Sequence, residues 1–167
     1  MKQLIFSVLL FTFVSYSSAF EKDSLNAVES FNQNGLQLHF VLINDKEFID
    51  KWEKPETPKI SPIDTYKRGE DVIPIIIFST DGKDSVGNAN LTYDIKIVKP
   101  DGTIYGEFKQ LEVWKDAPAP IMHLIKQPID IHLEENDPIG IYKVQTTIYE
   151  NVKKVRVNFE LAFQVVK

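Results

Sequence analysis

The sequence predicts an all-β protein, an antiparallel β-sandwich of about 7–8 strands with one short helix near residues 45–53. Apolar residues recur at every second position in several short segments, which is the pattern of half-buried strands. Residues that favour turns separate these segments roughly every 8–12 positions. A parallel α/β fold is disfavoured, because it needs helices between successive strands and the sequence shows none there.

The first 19 residues have the layout of a secretory signal peptide. Lys2 supplies the positive start, Leu4 to Val14 form a short apolar core, and small residues occupy positions 17–19. We expect cleavage after Ala19 and export to the periplasm or the medium. A retained N-terminal anchor is the alternative, but the apolar core is shorter than the roughly 20 residues of a spanning helix.

Removal of residues 1–19 from the 167-residue chain leaves 148 residues, which suits one domain with a core of its own. The chain has no Cys, so an exported domain must depend on packing rather than on disulfides. Its net charge is −5 and its basic residues are scattered. These features argue against binding of nucleic acid or an anionic membrane, and no membrane span is expected after cleavage.

The N-terminal half contains one strand and the helix. Residues 20–33 are polar and predict a loosely held N-terminal arm or a short helix, and the sandwich domain is expected over residues 34–167. Residues 35–44 alternate as a strand. Apolar residues at helical spacing then follow Asn44 and Asp45, either of which can cap the helix. Pro55 and Pro58 end that helix.

The remaining strands follow with turns between them. The predicted strands are residues 72–79, 91–98, 104–114 (interrupted near Gly106), 121–125, 128–135, 141–149 and 154–166. Pro74 predicts that residues 72–79 form an edge strand or a bulge, which could accept a strand from a partner. Pro-Asp-Gly at 100–102 predicts a hairpin turn. The last strand places six apolar residues on one face, namely Val155, Val157, Phe159, Leu161, Phe163 and Val165.

Residues 66–167 resemble bacterial exported immunoglobulin-like domains of the fibronectin type III and macroglobulin type. The similarity is carried by YKRGEDVIPIIIFS, NLTYDIKIVKPDGTIY and IDIHLEENDPIGIYKVQTTIYE, with VRVNFELAFQVV as the closing strand. The chain lacks the two cysteines of antibody-type domains, which places it outside that group. Such domains carry many functions, so the resemblance implies a fold more than an activity.

The most specific part of the resemblance is DPIGIY at residues 137–142, which looks like the corner before the penultimate strand of these domains. The resemblance implies that Tyr142 is the corner tyrosine whose hydroxyl bonds to nearby backbone. Gly140 would be the turn glycine and Asp137 the acid that begins the turn. Glu134 and Glu135, just before it, point to opposite faces of a strand, so an architectural interpretation is preferred to an acid/base pair.

Loops and one tryptophan are the candidate binding residues, because loops at the ends of a sandwich carry binding. The candidates are Asp81, Asp84, Asn88, Trp114, Lys115 and Asp116. The oxygen-rich loop 80–90 fails the spacing of an EF-hand, so a solvated loop is expected rather than a calcium site. Trp52 is expected to fasten the helix to the sandwich, whereas Trp114 precedes an exposed loop at 115–120 and is the better surface candidate.

His123 and His132 lie on consecutive predicted strands and are the weak candidates for a metal site, with Met122 beside the first. The sequence contains no cysteine nucleophile and none of the G-x-S-x-G, S-x-x-K, H-E-x-x-H or P-loop motifs. We therefore expect a non-catalytic protein-interaction module with a protein partner and without a cofactor. The alternatives are a secreted protease inhibitor that presents loop 115–120, and a metal-handling or hydrolytic protein that uses the two histidines.

Overall fold

The computed structural model describes residues 25–52, 54, 58–116 and 122–167. The predicted signal peptide, residues 20–24 of the predicted arm and residues 117–120 of loop 115–120 lie outside these residues. Within the described residues no helix is both long enough and apolar enough to cross a membrane.

The described chain is almost entirely β-structure. In chain order its elements are β1 (Val28–Gln33), β2 (Leu36–Ile43), α1 (Glu47–Trp52), β3 (Thr65–Lys67), β4 (Asp71–Thr80), β5 (Ala89–Val98), β6 (Ile104–Asp116), β7 (His123–Leu124), β8 (Ile131–His132), β9 (Gly140–Glu150) and β10 (Val155–Val166). These ten strands exceed the seven or eight expected. Strands β7 and β8 are much shorter than the segments 121–125 and 128–135 predicted for them.

The strands form two sheets around one hydrophobic core. The first sheet has the order β1-β2-β4-β7, with β8 also paired to β4, and the second has the order β3-β10-β9-β5-β6. All pairs are antiparallel except β3 with β10. Phe40 of the first sheet meets Phe159 of the second, with ring centroids 5.9 Å apart. The prediction of an all-β protein with two sheets is thereby confirmed.

Hairpins join the strands that carry the clearest sequence patterns. In β5 every second residue is buried, and β10 buries residues 157–165 at the predicted odd positions. The turn between β5 and β6 contains Gly102 at φ +83°, with its N–H donated to the Lys99 carbonyl at 2.9 Å. Because positive φ costs glycine little, the Pro-Asp-Gly signal specified this turn locally.

The N-terminal arm is the first point at which the structure differs from the expectation. Residues 28–33 form strand β1, which pairs with β2 from Val28↔Val41 to Gln33↔Leu36. The segment VESFNQ is mostly polar because β1 is an edge strand with little burial, so alternation is weak there. Asn26 extends the contact by exchanging two backbone hydrogen bonds with Ala162 of β10.

Strand β4 is an interior strand, so the interpretation of residues 72–79 as a free edge is wrong. From Ile73 to Thr80, one side of β4 pairs with β2. The other side pairs with β8 at residues 71–72 and with β7 at residues 77–78. Pro74 lies opposite Leu42, between the stretches that pair with β8 and β7. A proline without an N–H is tolerated where one side of the strand has no ladder partner.

Strand β6 is the edge of the second sheet, and its assignment is continuous from Ile104 to Asp116. The irregularity expected near Gly106 is a register shift, because Ile97 pairs with Gly106 but Val98 pairs with Ile104. The ladder between β5 and β6 contains two further shifts, and Gln110 lies in one of them at φ +56°. The Gln110 N–H is donated to Asp94 Oδ1 at 2.7 Å. Such bulges make an exposed edge a poor template for pairing with another chain.

Helix α1 begins at the predicted cap. Asp45 Oδ1 accepts the N–H of Glu47 at 2.9 Å, and the Asp45 carbonyl accepts the N–H of Phe48 at 3.1 Å. Phe48 is buried, and Trp52 lies at the end of the helix against the surface of the first sheet that faces away from Phe40. This covering explains why β4 buries both of its faces.

Candidate functional site

An open groove runs over the outer surface of the first sheet, between the end of α1 and the segment 122–126. It comprises two adjoining parts of about 470 and 540 Å³, and Trp52 borders both. We call it the aromatic groove, and its lining residues are His39, Ile49, Trp52, Ile60, Ile77, Trp114, Met122, His123, Leu124, Ile125 and Lys126. Eight of the eleven are apolar, as in most ligand-binding concavities.

Three rings from both sheets meet at one end of the groove. Trp114 of β6 stacks on His123 of β7, with centroids 4.2 Å apart and planes 26° apart. Phe78 of β4 contacts both, at 6.0 Å from Trp114 and 5.6 Å from His123. The Lys126 ammonium lies 4.3 Å from the centroid of the Trp114 indole, within the range of a cation–π contact. These contacts hold Trp114 in a fixed orientation.

The surroundings of His123 favour the neutral form of its imidazole. Burial lowers the pKa of its imidazole, and the nearby Lys126 ammonium lowers that pKa further. Its Nε2 atom is buried and makes no hydrogen bond with the residues that the structure describes. His123 therefore acts here mainly as a flat, weakly polar packing surface for Trp114.

The charges along the groove are unlike those of the rest of the chain. Of the eleven lining residues, Lys126 alone carries a formal charge, whereas the chain as a whole has 24 acidic and 19 basic residues. Another depression, on the outer face of the second sheet, is lined by residues of both signs of charge. Its charged residues are Glu29, Asp94, Lys96, Glu107, Lys109 and Glu160.

In the oxygen-rich loop at residues 80–90, acidic side chains form hydrogen bonds and an ion pair that hold the loop in place. Asp84 Oδ1 accepts the backbone N–H groups of Val86 and Asn88, each at 2.9 Å. Asp81 is ion-paired with Lys153, whose ammonium also donates to the Asn34 carbonyl at 2.6 Å. The loop is thus organised by internal and turn-to-turn contacts, and these residues lie outside the aromatic groove.

Lys115 and Asp116 are the last residues of β6 and pair with Asn90 and Ala89, so the two predicted binding loops leave the sandwich side by side. From residue 117 to residue 121 the chain lies outside the described residues, and with it most of the loop on which the inhibitor hypothesis depends. Of the predicted binding residues, Trp114 alone lines the groove.

The two candidate metal ligands lie far apart. His123 pairs with Phe78 and His132 with Asp71, seven positions apart on the same strand, which corresponds to roughly 23 Å at 3.3 Å per residue. A metal site that needs both histidines is therefore excluded. Among the described residues, no group of three or more His, Cys, Asp or Glu side chains could hold a metal ion.

His132 instead belongs to a surface ion cluster. Its Nδ1 lies 2.8 Å from Asp71 Oδ1, and this contact raises the pKa of the imidazole. The Lys46 ammonium lies 2.8 Å from both Asp71 and Asp130, and these two contacts raise the pKa of Lys46. The cluster connects the residues before α1 with the start of β4 and with β8.

The acidic stretch before β9 is a turn built around one buried carboxylate. Asp137 Oδ2 accepts the Tyr105 hydroxyl and the Glu134 N–H, each at 2.8 Å, whereas Glu134 and Glu135 are exposed. The Tyr142 hydroxyl donates to the Pro138 carbonyl at 3.0 Å. This geometry gives Asp137 and Tyr142 an architectural role at the corner.

Gly140 completes this corner. It has φ +141°, and a Cβ atom there would lie 2.9 Å from the ring of Pro100 in the β5–β6 turn. A side chain at this position would meet both backbone strain and a clash.

Glu150 is a buried acid that the sequence interpretation overlooked. Its side chain is fully inaccessible, and Oε2 accepts the Lys153 N–H at 2.6 Å. Oε1 has no hydrogen-bond partner among the described residues and lies against Gly82. The period-two pattern of β9, with Tyr142, Val144 and Ile148 inward, also points position 150 inward, so the signal was present.

No protein-family model matches the sequence, and no curated protein matches it. Solved structures match the chain only at low identity and low TM-score. The alkylpurine DNA glycosylase of Pseudomonas fluorescens matches 62% of this chain at TM-score 0.40 and 15% identity. The family 123 glycoside hydrolase of Clostridium perfringens matches 80% of this chain at TM-score 0.44 and 12% identity. This chain spans 28% of each of those two structures. A Niemann-Pick type C2 protein from the Japanese carpenter ant matches 88% of this chain and 98% of its own, at TM-score 0.42 and 10% identity.

Proposed function

We propose that the chain is an exported, non-catalytic binding module whose ligand occupies the aromatic groove. The observation that carries this proposal is the fixed Trp114–His123 stack at the end of an apolar groove that Trp52 also borders. Aromatic side chains held rigidly by packing bind ligands at a low cost in conformational entropy. Apolar surface left accessible in a groove is typical of an interaction site.

We also propose that the sandwich is of the immunoglobulin-like type, and its strand topology supports this. An antiparallel sheet of β2, β4 and the short β7 and β8 faces a sheet in which β10, β9, β5 and β6 are neighbours. This order parallels the strand arrangement of variable-type immunoglobulin domains. The hydroxyl of Tyr142 bonds to backbone four residues upstream, on the strand where such domains carry their corner tyrosine.

The non-catalytic part is supported by what the acids and histidines already do. Asp71 is ion-paired with Lys46 and hydrogen-bonded to His132. Asp137 accepts a hydrogen bond from Tyr105 at the corner, and the ring of His123 stacks on Trp114. A general acid or base needs a polar atom within reach of a substrate, whereas the carboxylates of Asp71 and Asp137 are bonded to other groups of the fold.

Intrinsic fluorescence tests the binding proposal directly. The chain has two tryptophans, Trp52 and Trp114, and both border the groove. A ligand that enters the groove is expected to change the emission of one or both indoles when short peptides, glycans and apolar small molecules are titrated. Phe replacements at position 52 or 114 should each weaken binding, whereas Phe108→Ala, at an exposed aromatic residue of β6, should not.

Binding that leaves the indole emission unchanged, or that is lost only in Phe108→Ala, would place the binding surface elsewhere and contradict the proposal. Turnover of a bound compound by the wild-type protein would contradict its non-catalytic part.

Export is tested separately by N-terminal sequencing of the protein recovered outside the cytoplasm. We expect the mature chain to begin at Phe20, after the small residues at positions 17–19. A chain that still begins at Met1 and stays with the membrane would favour the retained anchor.

A further inference from the structure

We propose that the partner of the aromatic groove is a segment of another protein in which a carboxylate side chain accompanies bulky apolar side chains. This inference rests on the proposed function, because it names the chemistry of the ligand at the same site. It is carried by the composition of the groove lining together with the position of Lys126.

The floor of the groove selects for apolar side chains. Trp52 separates its two parts, one bordered by Ile49, Leu124 and Ile125 and the other by Ile60 and Ile77. Two neighbouring apolar hollows on either side of one ring suit two anchors on one extended segment. Met122, which is 38% exposed, adds an adaptable wall to the second hollow.

The charge of the groove selects for an anion. Lys126 is exposed, lies over the Trp114 ring, and has no ion pair with any described carboxylate. Lys115, the residue after Trp114, is also exposed and has no such ion pair in the described part of the chain. The Trp114–His123 stack adds no opposing negative charge, because neither an indole nor an imidazole side chain is an anion. An apolar ligand that carries a carboxylate therefore complements both the lining and its cation, whereas a basic ligand is repelled.

The open form of the groove favours a protein segment over a small amphiphile such as a fatty acid. Sites for small molecules enclose most of the ligand surface, whereas both parts of this groove are only partly enclosed. A segment that is anchored by two side chains needs no such enclosure, because the rest of its surface stays on the partner protein.

Selection from a phage-displayed library of random dodecapeptides on the purified protein tests the inference. We expect the selected sequences to be enriched in Asp or Glu within a few positions of Trp, Phe or Leu. A synthetic peptide of the selected sequence should bind with a change in tryptophan emission. Lys126→Glu should weaken that peptide about tenfold, since it replaces attraction by repulsion at the rim. Selection repeated on Lys126→Glu should lose the acidic preference.

Lys67→Glu, an exposed lysine of β3 in the other sheet, makes the same charge change away from the groove and is the matched control. It should leave the affinity within about twofold. Lys126 is exposed, so its replacement is not expected to disturb folding, and equal melting temperatures of both variants would verify this.

The outcomes separate this inference from the proposed function. Binders that need Trp114 but show no acidic enrichment, or that ignore Lys126→Glu, overturn the inference and leave the binding module in place. Laurate that binds the groove more tightly than every selected peptide also overturns it, because the ligand would then be a free amphiphile. A library that gives no binder dependent on the groove contradicts both.

Discussion

At the scale of single residues, the two buried acids of the described chain have opposite surroundings. Asp137 is surrounded by donors, since its carboxylate accepts two hydrogen bonds and its carbonyl accepts the Arg68 guanidinium. Glu150 has one bonded oxygen and one without a partner among the described residues. Because a buried carboxylate oxygen without a donor is costly, Asp137 should contribute more to the stability of its corner than Glu150 contributes to the β9–β10 turn.

Tyr142→Phe should lower the free energy of unfolding by about 1 kcal/mol, because it removes the hydrogen bond to the Pro138 carbonyl while keeping the buried ring. Denaturation with urea would measure the change. Tyr149→Phe is the control, since its hydroxyl bonds to Asp94 on the outer face of the second sheet, where water can replace it. Equal stability of Tyr142→Phe and wild type would show that this hydrogen bond does not stabilise the protein.

Gly82→Ala should destabilise the protein by about 1–3 kcal/mol, because the new methyl group would lie 2.5 Å from Glu150 Oε1. Glu150→Asp withdraws the carboxylate, so the loss in the double variant should be smaller than the sum of the two single losses. A double-mutant cycle by urea denaturation measures this coupling. Strict additivity would show that the two residues do not meet.

At the scale of elements, the two shortest strands each carry a histidine, and these respond to pH in opposite directions. The pKa of His123 in β7 is lowered by burial, so its stabilising effect is full above about pH 6.5, the ordinary value, and is lost as pH falls below it. The pKa of His132 in β8 is raised by Asp71, so its effect is full below about pH 6.5 and is lost as pH rises through its higher folded value.

Between pH 7.5 and 5.5, wild-type stability should therefore carry two opposing trends that substitutions separate. His123→Phe, which keeps a ring against Trp114, should make stability fall less on acidification than in wild type. His132→Asn should make it fall more. Urea denaturation at the two pH values gives both differences, and identical pH dependence of all three proteins would rule out any role of the strands β7 and β8 in acid sensitivity.

Elements with a local signal could be predicted from the sequence, and those fixed by partners could not. The turn at 99–103 and strand β10 follow from Pro-Asp-Gly and from strict alternation. Strand β1 was missed because an edge strand buries too little to need apolar residues. The misjudged edge at 72–79 came from Pro74, since a local rule does not reveal that β7 and β8 leave a gap beside that proline.

The site divides in the same way. Trp114 was singled out by its position before a loop, but its stacking on His123 depends on which edges of the two sheets face each other, and neither segment encodes that alone. Pairing His123 with His132 was wrong because consecutive strands joined to one long strand can still lie at its two ends.

At the scale of the whole molecule, the two sheets share one core and should unfold together. Phe40→Ala removes a fully buried ring that meets Phe159 of the opposite sheet, and we expect a loss of about 3–5 kcal/mol. Far-ultraviolet circular dichroism and tryptophan emission should give the same midpoint in the variant as in wild type. Separate midpoints would mean that the sheets are independent units.

The pairing of β2 with β4 has a further consequence for how the chain can be divided. Strands β1 and β2 and helix α1 form the first described unit. Every residue of β2 pairs with β4, and six of the eight belong to the buried core. A single cut between residues 54 and 58 therefore leaves two pieces that fit each other through a strand and an apolar surface. Supplied as a separate peptide, the first piece should complement the second, so that the protein can serve as a split reporter whose reassembly is read from the restored environment of Trp52.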